Sequence, residues 1–407
     1  MKNTATTQTR ISALLIAVSS LSLSSCGRGS VALPNGGTIV TAITRGATSN
    51  AYSVLYRFEG GRTDGTYPYA NLVDVNGTLY STTFRGGERD AGTVFSISTA
   101  GIEQVLYSFA GGKDFDGGYP AAGLINVNGT LYGTTVYGGS SHHGTVFSIG
   151  TTGTERVLHS FEGGADGVEP EAGLVNVNGT LYGTTSGGLH GDGTVFSITT
   201  TGTERVLYHF KGGTDGAGPY AGLIDVNGTL YGTTISGGGP SNNGTVFSVS
   251  TTGTEHVLHR FAGATDGAQP EAGLLDVNGT LYGTTTYGGG STGGGTVFKI
   301  DTAGNEQVVH RFGSGADGWG PAASLVDVNG TLYGTTLYGG GNDKGTVFSI
   351  STTGTERVIY SFGSTVGDGT NPEGALIAVN GALYGTTDEG GEKDGGLGNG
   401  IVYKIIP

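Results

Sequence analysis

The sequence predicts an all-β protein, a single seven-bladed β-propeller with four antiparallel strands per blade and a ring closed by an N-terminal outer strand. Three observations carry that expectation. The phrase "VNGTLYGTT", at residues 127–135 and 177–185, returns in close variants at Val75, Val226, Val277, Val328 and Val379. Its glycines, Gly77, Gly129, Gly179, Gly228, Gly279, Gly330 and Gly381, lie 49 to 52 residues apart. Each interval holds four short runs rich in Val, Ile, Thr, Tyr and Phe, and helical spacing is absent after the first 25 residues.

The unit from Ala221 shows the order: "AGLIDVNG", "TLYGTT", "GTVFSVS", then "EHVLHRF" ending at Phe261. Asn-Gly joins the first two runs as a type I′ hairpin, because both central positions need positive φ. That chemistry explains Asn and Gly without invoking the glycan acceptor pattern that Asn-Gly-Thr also matches. A glycine-rich loop, "SGGGPSNNG" in this unit, precedes the third run, and "TTGTE" turns into the fourth. A β-solenoid is the other repeat architecture considered, but its coils are shorter and need no hairpin in every unit. Length alone, 407 residues, suggests two or three domains; the repeat reduces this to one ring.

The ends fit closure. "GIVYKI" from Gly400 is a third-strand run with no fourth after it, and "SVLYRF" from Ser53 is a fourth with no blade before it. Pairing them removes an open sheet edge. "GTIVTAIT" from Gly37 resembles a spare third strand, and whether it pairs stays open at this stage.

The 83 glycines fall within a chain that is 35% hydrophobic, with 20 Tyr and 15 Phe, enough apolar material for a core. A net charge of −14 excludes a nucleic-acid partner, which needs a basic footprint. Residues 1–25 read as a lipoprotein signal peptide: Lys2 and Arg10 flank an acid-free start, and residues 11–23 are apolar and small. Leu23-Ser24-Ser25-Cys26 then resembles a bacterial lipobox, so Cys26, the sole cysteine, is the expected lipidation site and the link to the membrane. Gly27 rather than Asp follows, which does not indicate inner-membrane retention, so the expected address is the outer membrane or cell surface. Residues 26–50 become a tether and 51–407 the propeller.

The strand order and the "VNGTLYGTT..GG" layout look like a kelch-type blade, although kelch's diagnostic Trp is missing. More specifically, "GTVFSISTTGTERVLYSF" followed by "DG..P.AGLI.VNGTLYGTT" resembles the bacterial GloVer tandem-repeat proteins over residues 37–407. The resemblance implies a surface protein with some anchor, and implies no catalytic residues.

Residues shared by every blade suggest architecture. Asp-Gly-x-x-Pro begins at Asp64, Asp116, Asp166, Asp215, Asp266, Asp317 and Asp368, where Asp can accept backbone N–H groups and Pro fixes entry to the inner strand. A carboxylate ring holding Ca²⁺ is the sharper alternative, with Asp114 beside Asp116 the one blade offering a second acid. Residues that differ between blades suggest function. After each Pro come Tyr69, Ala121, Glu171, Tyr220, Glu271, Ala322 and Glu373, which are expected to ring the central channel. Glu171, Glu271, Glu373 and Tyr220 are the candidate catalytic or cation-binding set. Trp319, the only Trp, with Tyr67, Tyr69, Tyr119 and Tyr220, is a candidate stacking surface for a flat ligand. His142, His143, His190 and Asp192, in the glycine-rich loops of adjacent blades, are candidate metal ligands without a visible supporting shell. His159, His259 and His310 replace a Tyr found in other blades and read as packing residues. Loop charges at Arg85, Glu88, Arg89 and Asp90 and at Asp388, Glu389, Glu392, Lys393 and Asp394 are expected to pair across the closing seam, with a ligand patch as the alternative.

No cofactor fingerprint, P-loop or nucleophile elbow is present. The leading expectation is a non-catalytic surface module for a glycan, peptide or partner protein. The alternative is a polysaccharide lyase or hydrolase with its site in the funnel, motivated by fold analogy.

Overall fold

A computed structural model describes residues 31–32, 38–39, 51–112, 116–313, 315–392 and 398–407. The chain divides into two units, residues 1–49 and 50–407. In the first, Val31–Ala32 pairs antiparallel with Thr38–Ile39, so this part of the spare strand has a partner within its own unit. The signal peptide and Cys26 lie outside the described residues.

The second unit is the expected ring: seven four-stranded antiparallel sheets, each with its inner strand hairpinned to a six-residue second strand. All seven hairpins are type I′, with Asn φ between 51° and 56° and Gly φ between 78° and 87°. Asn126 and Asn176, and aspartates at four equivalent positions, accept the turn Gly N–H at 2.8–2.9 Å. The Asn of each Asn-Gly pair supplies the left-handed first corner of its turn. Glycine also recurs within the second strand because the next strand crowds it; a Cβ on Gly183 would lie 2.6 Å from Phe196 Cζ.

Blades meet through phenylalanine. The residue ending each outer strand stands edge-on against an aromatic of the next blade's third strand, with centroids 5.0–5.2 Å apart at every junction. Phe161 on Phe196 is one such pair, and both rings are fully buried. The hydrophobic clusters accordingly span neighbouring blades; Tyr132, Val146 and Phe161 pack with Leu174, Leu181 and Ile198.

Closure follows the expected route. Ala51–Arg57 pairs with Ile401–Ile406 as the outer strand of the last blade, delivering Phe58 onto Phe95 of the first. Across the seam's other side, Phe362 meets Tyr403 in place of the usual Phe.

Backbone bonds stitch the upper face. The residue before each Pro has positive φ: Tyr67, Tyr119, Glu169, Gly218, Gln269, Gly320 and Asn371. That conformation turns its N–H toward the preceding blade's loop, as in Glu169 N–H to His143 carbonyl at 2.9 Å. Its own carbonyl then accepts from the end of the second strand, as in Ser186 N–H to Glu169 at 3.0 Å. One residue so bridges two blades, which offsets the cost of left-handed backbone at bulky side chains.

The Asp of each Asp-Gly-x-x-Pro caps the outer strand before it. Asp116 accepts the Ala110 and Gly117 N–H groups at 2.7 and 2.8 Å and the Tyr107 hydroxyl at 3.1 Å. Asp64, Asp215 and Asp368 accept from Tyr56, Tyr208 and Tyr360 in the same way. The turn reading of these aspartates holds. Beside six of them lies a glutamate from the next outer strand: Glu103, Glu155, Glu204, Glu255, Glu306 and Glu356. Each is pushed up to about 7, first by burial and then by its Asp neighbour. At the seventh junction Tyr52 takes the glutamate's place, stacking on Tyr360 at 3.8 Å and donating to Asp368.

Two outcomes follow. Phe58→Ala removes the closing ring contact and is expected to cost about 3–5 kcal/mol, read as a lowered denaturation midpoint with early proteolysis at the seam. The six glutamates keep protons in the folded state that the unfolded chain releases above its ordinary 4.5. Their contribution is complete below about 4.5 and is lost as pH rises to about 7. Melting temperature at constant ionic strength should therefore fall over that window and level off above it, and Glu155→Gln should flatten the slope.

Candidate functional site

The seven residues after the prolines surround the channel mouth, as their place at the start of each inner strand requires. Above the channel they open into a funnel of about 410 Å³, lined by Tyr69, Glu171, Tyr220, Glu271 and Glu373 together with Phe84, Val136, Tyr137 and Leu337. The lining draws on two rungs: the residue after each Pro and, at Phe84, Val136 and Leu337, the residue after the Thr-Thr that ends the second strand. These rungs match within each blade. Blades with glutamate on the first carry Ser186, Thr286 or Asp388 on the second; the others pair Tyr69 with Phe84, Ala121 with Val136, Tyr220 with Ile235 and Ala322 with Leu337. The funnel is therefore divided into polar stations at blades three, five and seven and apolar stations between them.

Each polar station holds its carboxyl differently. Thr286 Oγ1 donates to Glu271 Oε2 at 3.0 Å, which moderates the upward push from burial on that carboxyl. Glu171 is pushed up to about 7 by burial and by the charge of Glu169, with Ser186 pulling the other way. Glu373 reaches about 7 and Asp388 about 8, burial again leading and the neighbouring acids adding. Asp388 is 9% exposed, and its Oδ1 is buried without a hydrogen-bond donor. At about 7 to 8, Glu171, Glu373 and Asp388 exchange protons around neutral pH and can offer O–H donors as well as acceptors.

Across blades one and two the rings form an arc. Tyr67 stacks near Tyr69 at 6.2 Å, Tyr69 meets Phe84 at 5.2 Å, Phe84 meets Tyr119 at 5.5 Å, and Tyr119 meets Tyr137 at 5.8 Å. Arg85 lies over the Tyr119 ring. Tyr137 and Tyr220 are the exposed members at the mouth, and both hydroxyls are raised by burial and by nearby funnel glutamates.

The structure thus gathers Glu171, Glu271, Glu373, Tyr69 and Tyr220 in one funnel, with Tyr67 and Tyr119 in the adjoining arc. Trp319 is not among the lining residues; it bridges and stacks on Tyr338 at 4.3 Å within its own blade. The second rung went unread in the sequence. Its signal was a single variable position after seven copies of an otherwise constant Thr-Thr. His142 and His143 point apart, the first beside Gly112 and the second beside Gly163, while Asp192 neighbours Gly212. The two convergent His/Asp/Glu sets among the described residues include none of His142, His143, His190 and Asp192. Asp114 and Lys393 lie outside the described residues, as does Asp394. Among the described residues Arg85 pairs with Asp90 at 3.1 Å and Arg62 with Glu88 at 3.5 Å, both exposed and worth little; the expected cross-seam pairing also calls on Lys393 and Asp394, outside the described residues. His159, His259 and His310 do pack edge-on against Phe161, Phe261 and Phe312, and each also faces the capping Asp.

Solved structures resemble this chain in fold at low sequence identity. PorZ, a surface component of the type-IX secretion system of Porphyromonas gingivalis, shares 14% identity at a TM-score of 0.52, covering 85% of this chain and 47% of its own. The chain thus spans about half the length of that protein. The gluconolactonase XC5397 of Xanthomonas campestris shares 14% identity over 83% of this chain and 97% of its own, at a TM-score of 0.42. The aldose sugar dehydrogenase of Streptomyces coelicolor shares 12% over 88% and 98%, at 0.43. At these identities the likeness is one of fold alone. No curated protein sequence matches significantly. The Gloeobacter/Verrucomicrobia repeat profile matches residues 27–240 and 187–403. Those two matches run over most of the chain, and the chain belongs to the Gloeobacter/Verrucomicrobia repeat family.

Proposed function

We propose that this chain is an exported protein, lipid-anchored through Cys26 at the outer membrane or cell surface, whose propeller binds a glycan in the funnel. The observation that carries the binding reading is the division of the funnel into aromatic and carboxyl stations. A saccharide presents apolar C–H faces and hydroxyl edges; Tyr69, Tyr137 and Tyr220 suit the faces, and Glu171, Glu271 and Glu373 suit the hydroxyls. The volume of about 410 Å³ falls within the roughly 300–1,000 Å³ usual for small-ligand sites. The near-identical blades supply a rigid frame, and the two variable rungs supply discrimination. The anchor reading rests on the charged start, the apolar run and the single cysteine closing it.

One observation favours a second reading. Glu171 and Glu373, held at about 7, are poised to carry a catalytic proton beside Tyr220, as a polysaccharide lyase or hydrolase requires. Product assays on extracellular polysaccharides decide between them: release that disappears in Glu171→Gln and Glu373→Gln selects the enzyme, and no release selects the binder.

For the binder, glycan-array screening followed by calorimetry is expected to give a ligand whose affinity falls at least tenfold, about 1.4 kcal/mol, in Tyr220→Ala and in Glu271→Ala. Trp319→Ala, outside the funnel, is expected to leave it unchanged. Equal affinity for the wild type and the Tyr220→Ala/Glu271→Ala double variant would remove the funnel as the site. Separately, Cys26→Ser is expected to move the protein from the membrane fraction to the soluble one, and retention at the membrane would overturn the anchor.

A further inference from the structure

The junctions between blades carry a pattern that the glycan reading does not use. At each, a residue near the end of an outer strand faces the capping Asp, and at six of them the glutamate of the next outer strand completes a set. Where that residue is Tyr, the phenol donates to the capping Asp, while the glutamate Oε1 is buried without a partner at Tyr and His junctions alike. Tyr107 donates to Asp116 at 3.1 Å and Tyr208 to Asp215 at 2.9 Å. Where it is His, the contact varies: His159 and His259 Nε2 lie 3.2 and 3.1 Å from Asp166 and Asp266, within hydrogen-bond reach. At the junction of blades five and six, His310 Nε2 is 3.5 Å from Asp317 Oδ1, an ion-pair distance too long for a good hydrogen bond.

That junction leaves its polar atoms unmatched. His310 Nε2 and Glu356 Oε1 are both buried without a hydrogen-bond partner. The second Asp317 oxygen is committed to the Gly313 N–H at 2.6 Å, which leaves Oδ1 free to turn toward the other two. One ligand atom from each of His310, Asp317 and Glu356 lies within 4.8 Å of the others. The same is true of His159, Asp166 and Glu204 between blades two and three, where Glu204 Oε1 is again buried and unpartnered. Buried polar atoms without partners are rare because each carries its desolvation cost uncompensated.

We propose that His310, Asp317 and Glu356 form a site for a first-row divalent cation such as Zn²⁺, with His159, Asp166 and Glu204 as a second copy. The ion takes the bridging position that the phenol oxygen occupies at the Tyr junctions, joining the outer strand of one blade to that of the next. One imidazole and two carboxylates are a donor set of the kind Zn²⁺ accepts, and the nitrogen selects against Ca²⁺ and Mg²⁺, which prefer oxygen alone. Solvent reaches these junctions from the outer rim: the equivalent Tyr208, Asp215 and Glu255 line an open groove there.

The protein supplies its own test. Tyr stands at four of the seven equivalent positions, so His310→Tyr and His159→Tyr preserve the junction while removing the nitrogen ligand. Full-length protein stripped with EDTA is titrated with Zn²⁺ by calorimetry, and bound metal is counted after dialysis. Two equivalents are expected for the wild type, one for either single variant and none for the double variant. Ca²⁺ is expected to bind at least tenfold more weakly. Zn²⁺ should raise the wild-type melting temperature and leave that of the double variant unmoved. Glu356→Gln with Glu204→Gln, which keeps the side-chain shape, gives an independent arm and should weaken Zn²⁺ binding at least tenfold. Absence of Zn²⁺ binding by the wild type overturns the proposal. So does an unchanged stoichiometry in the double Tyr variant, or unchanged affinity in the double Gln variant.

Discussion

Everything in this molecule depends on the edge-to-face contact between one blade's last aromatic and the next blade's third strand. A four-stranded sheet of this size has two faces and cannot bury either alone. Each ring of Phe109, Phe161, Phe210, Phe261 and Phe312 is buried only because a neighbour covers it. The second strand must carry Gly under those rings, and the outer strand must end where it does to present them. The pre-proline residues must take left-handed backbone to tie the faces over them. The ring has no stable sub-assembly with a satisfied edge, so closure by Phe58 on Phe95 is a condition of the whole.

Because the frame is repeated, most of it could be read from the chain. Asn-Gly fixed the hairpins, the spacing fixed seven blades, and the orphan runs at the two ends fixed closure. The first rung of the funnel was legible for the same reason: a position at the entry to every inner strand that switches among Tyr, Ala and Glu is displayed by the alignment of the repeats. Tyr69, Glu171, Tyr220, Glu271 and Glu373 meet where that logic put them. The second rung was harder, because Val136, Ile235 and Leu337 look like ordinary core residues until Ser186, Thr286 and Asp388 are set beside them. Trp319 was not placed by the same logic: its rarity suggested recognition, and the structure sets it on Tyr338 through a local bridge, outside the funnel lining, a partner that the repeat alignment does not display.

The histidines at the junctions mark a limit of reading by equivalence. Aligning His159, His259 and His310 with Tyr gave packing, which the T-shaped contacts on Phe161, Phe261 and Phe312 bear out. It could not show that the same column also addresses a capping aspartate, because the aspartate comes seven or more residues later and the glutamate from another blade. Polar complementarity across a fold is a three-body property, and a repeat alignment displays only one body at a time.

Closure also sets the order in which the chain can become a protein. Ala51–Arg57 finds its partner in Ile401–Ile406, so the first strand made must wait for the last. Until then its alternation of Tyr52, Val54 and Tyr56 is an unpaired edge, open to whatever strand arrives first. Contacts this distant in sequence make folding slow and expose intermediates to misassembly. With nearly identical third strands arriving every 50 residues or so, the wrong partner is always synthesised before the right one. Tyr403, where every other blade has Phe, and Tyr52, where every other outer strand has Glu, give that pairing a distinct signature. The seam's departures from the repeat set the pairing of the two ends apart from every other match of outer and third strands in the ring.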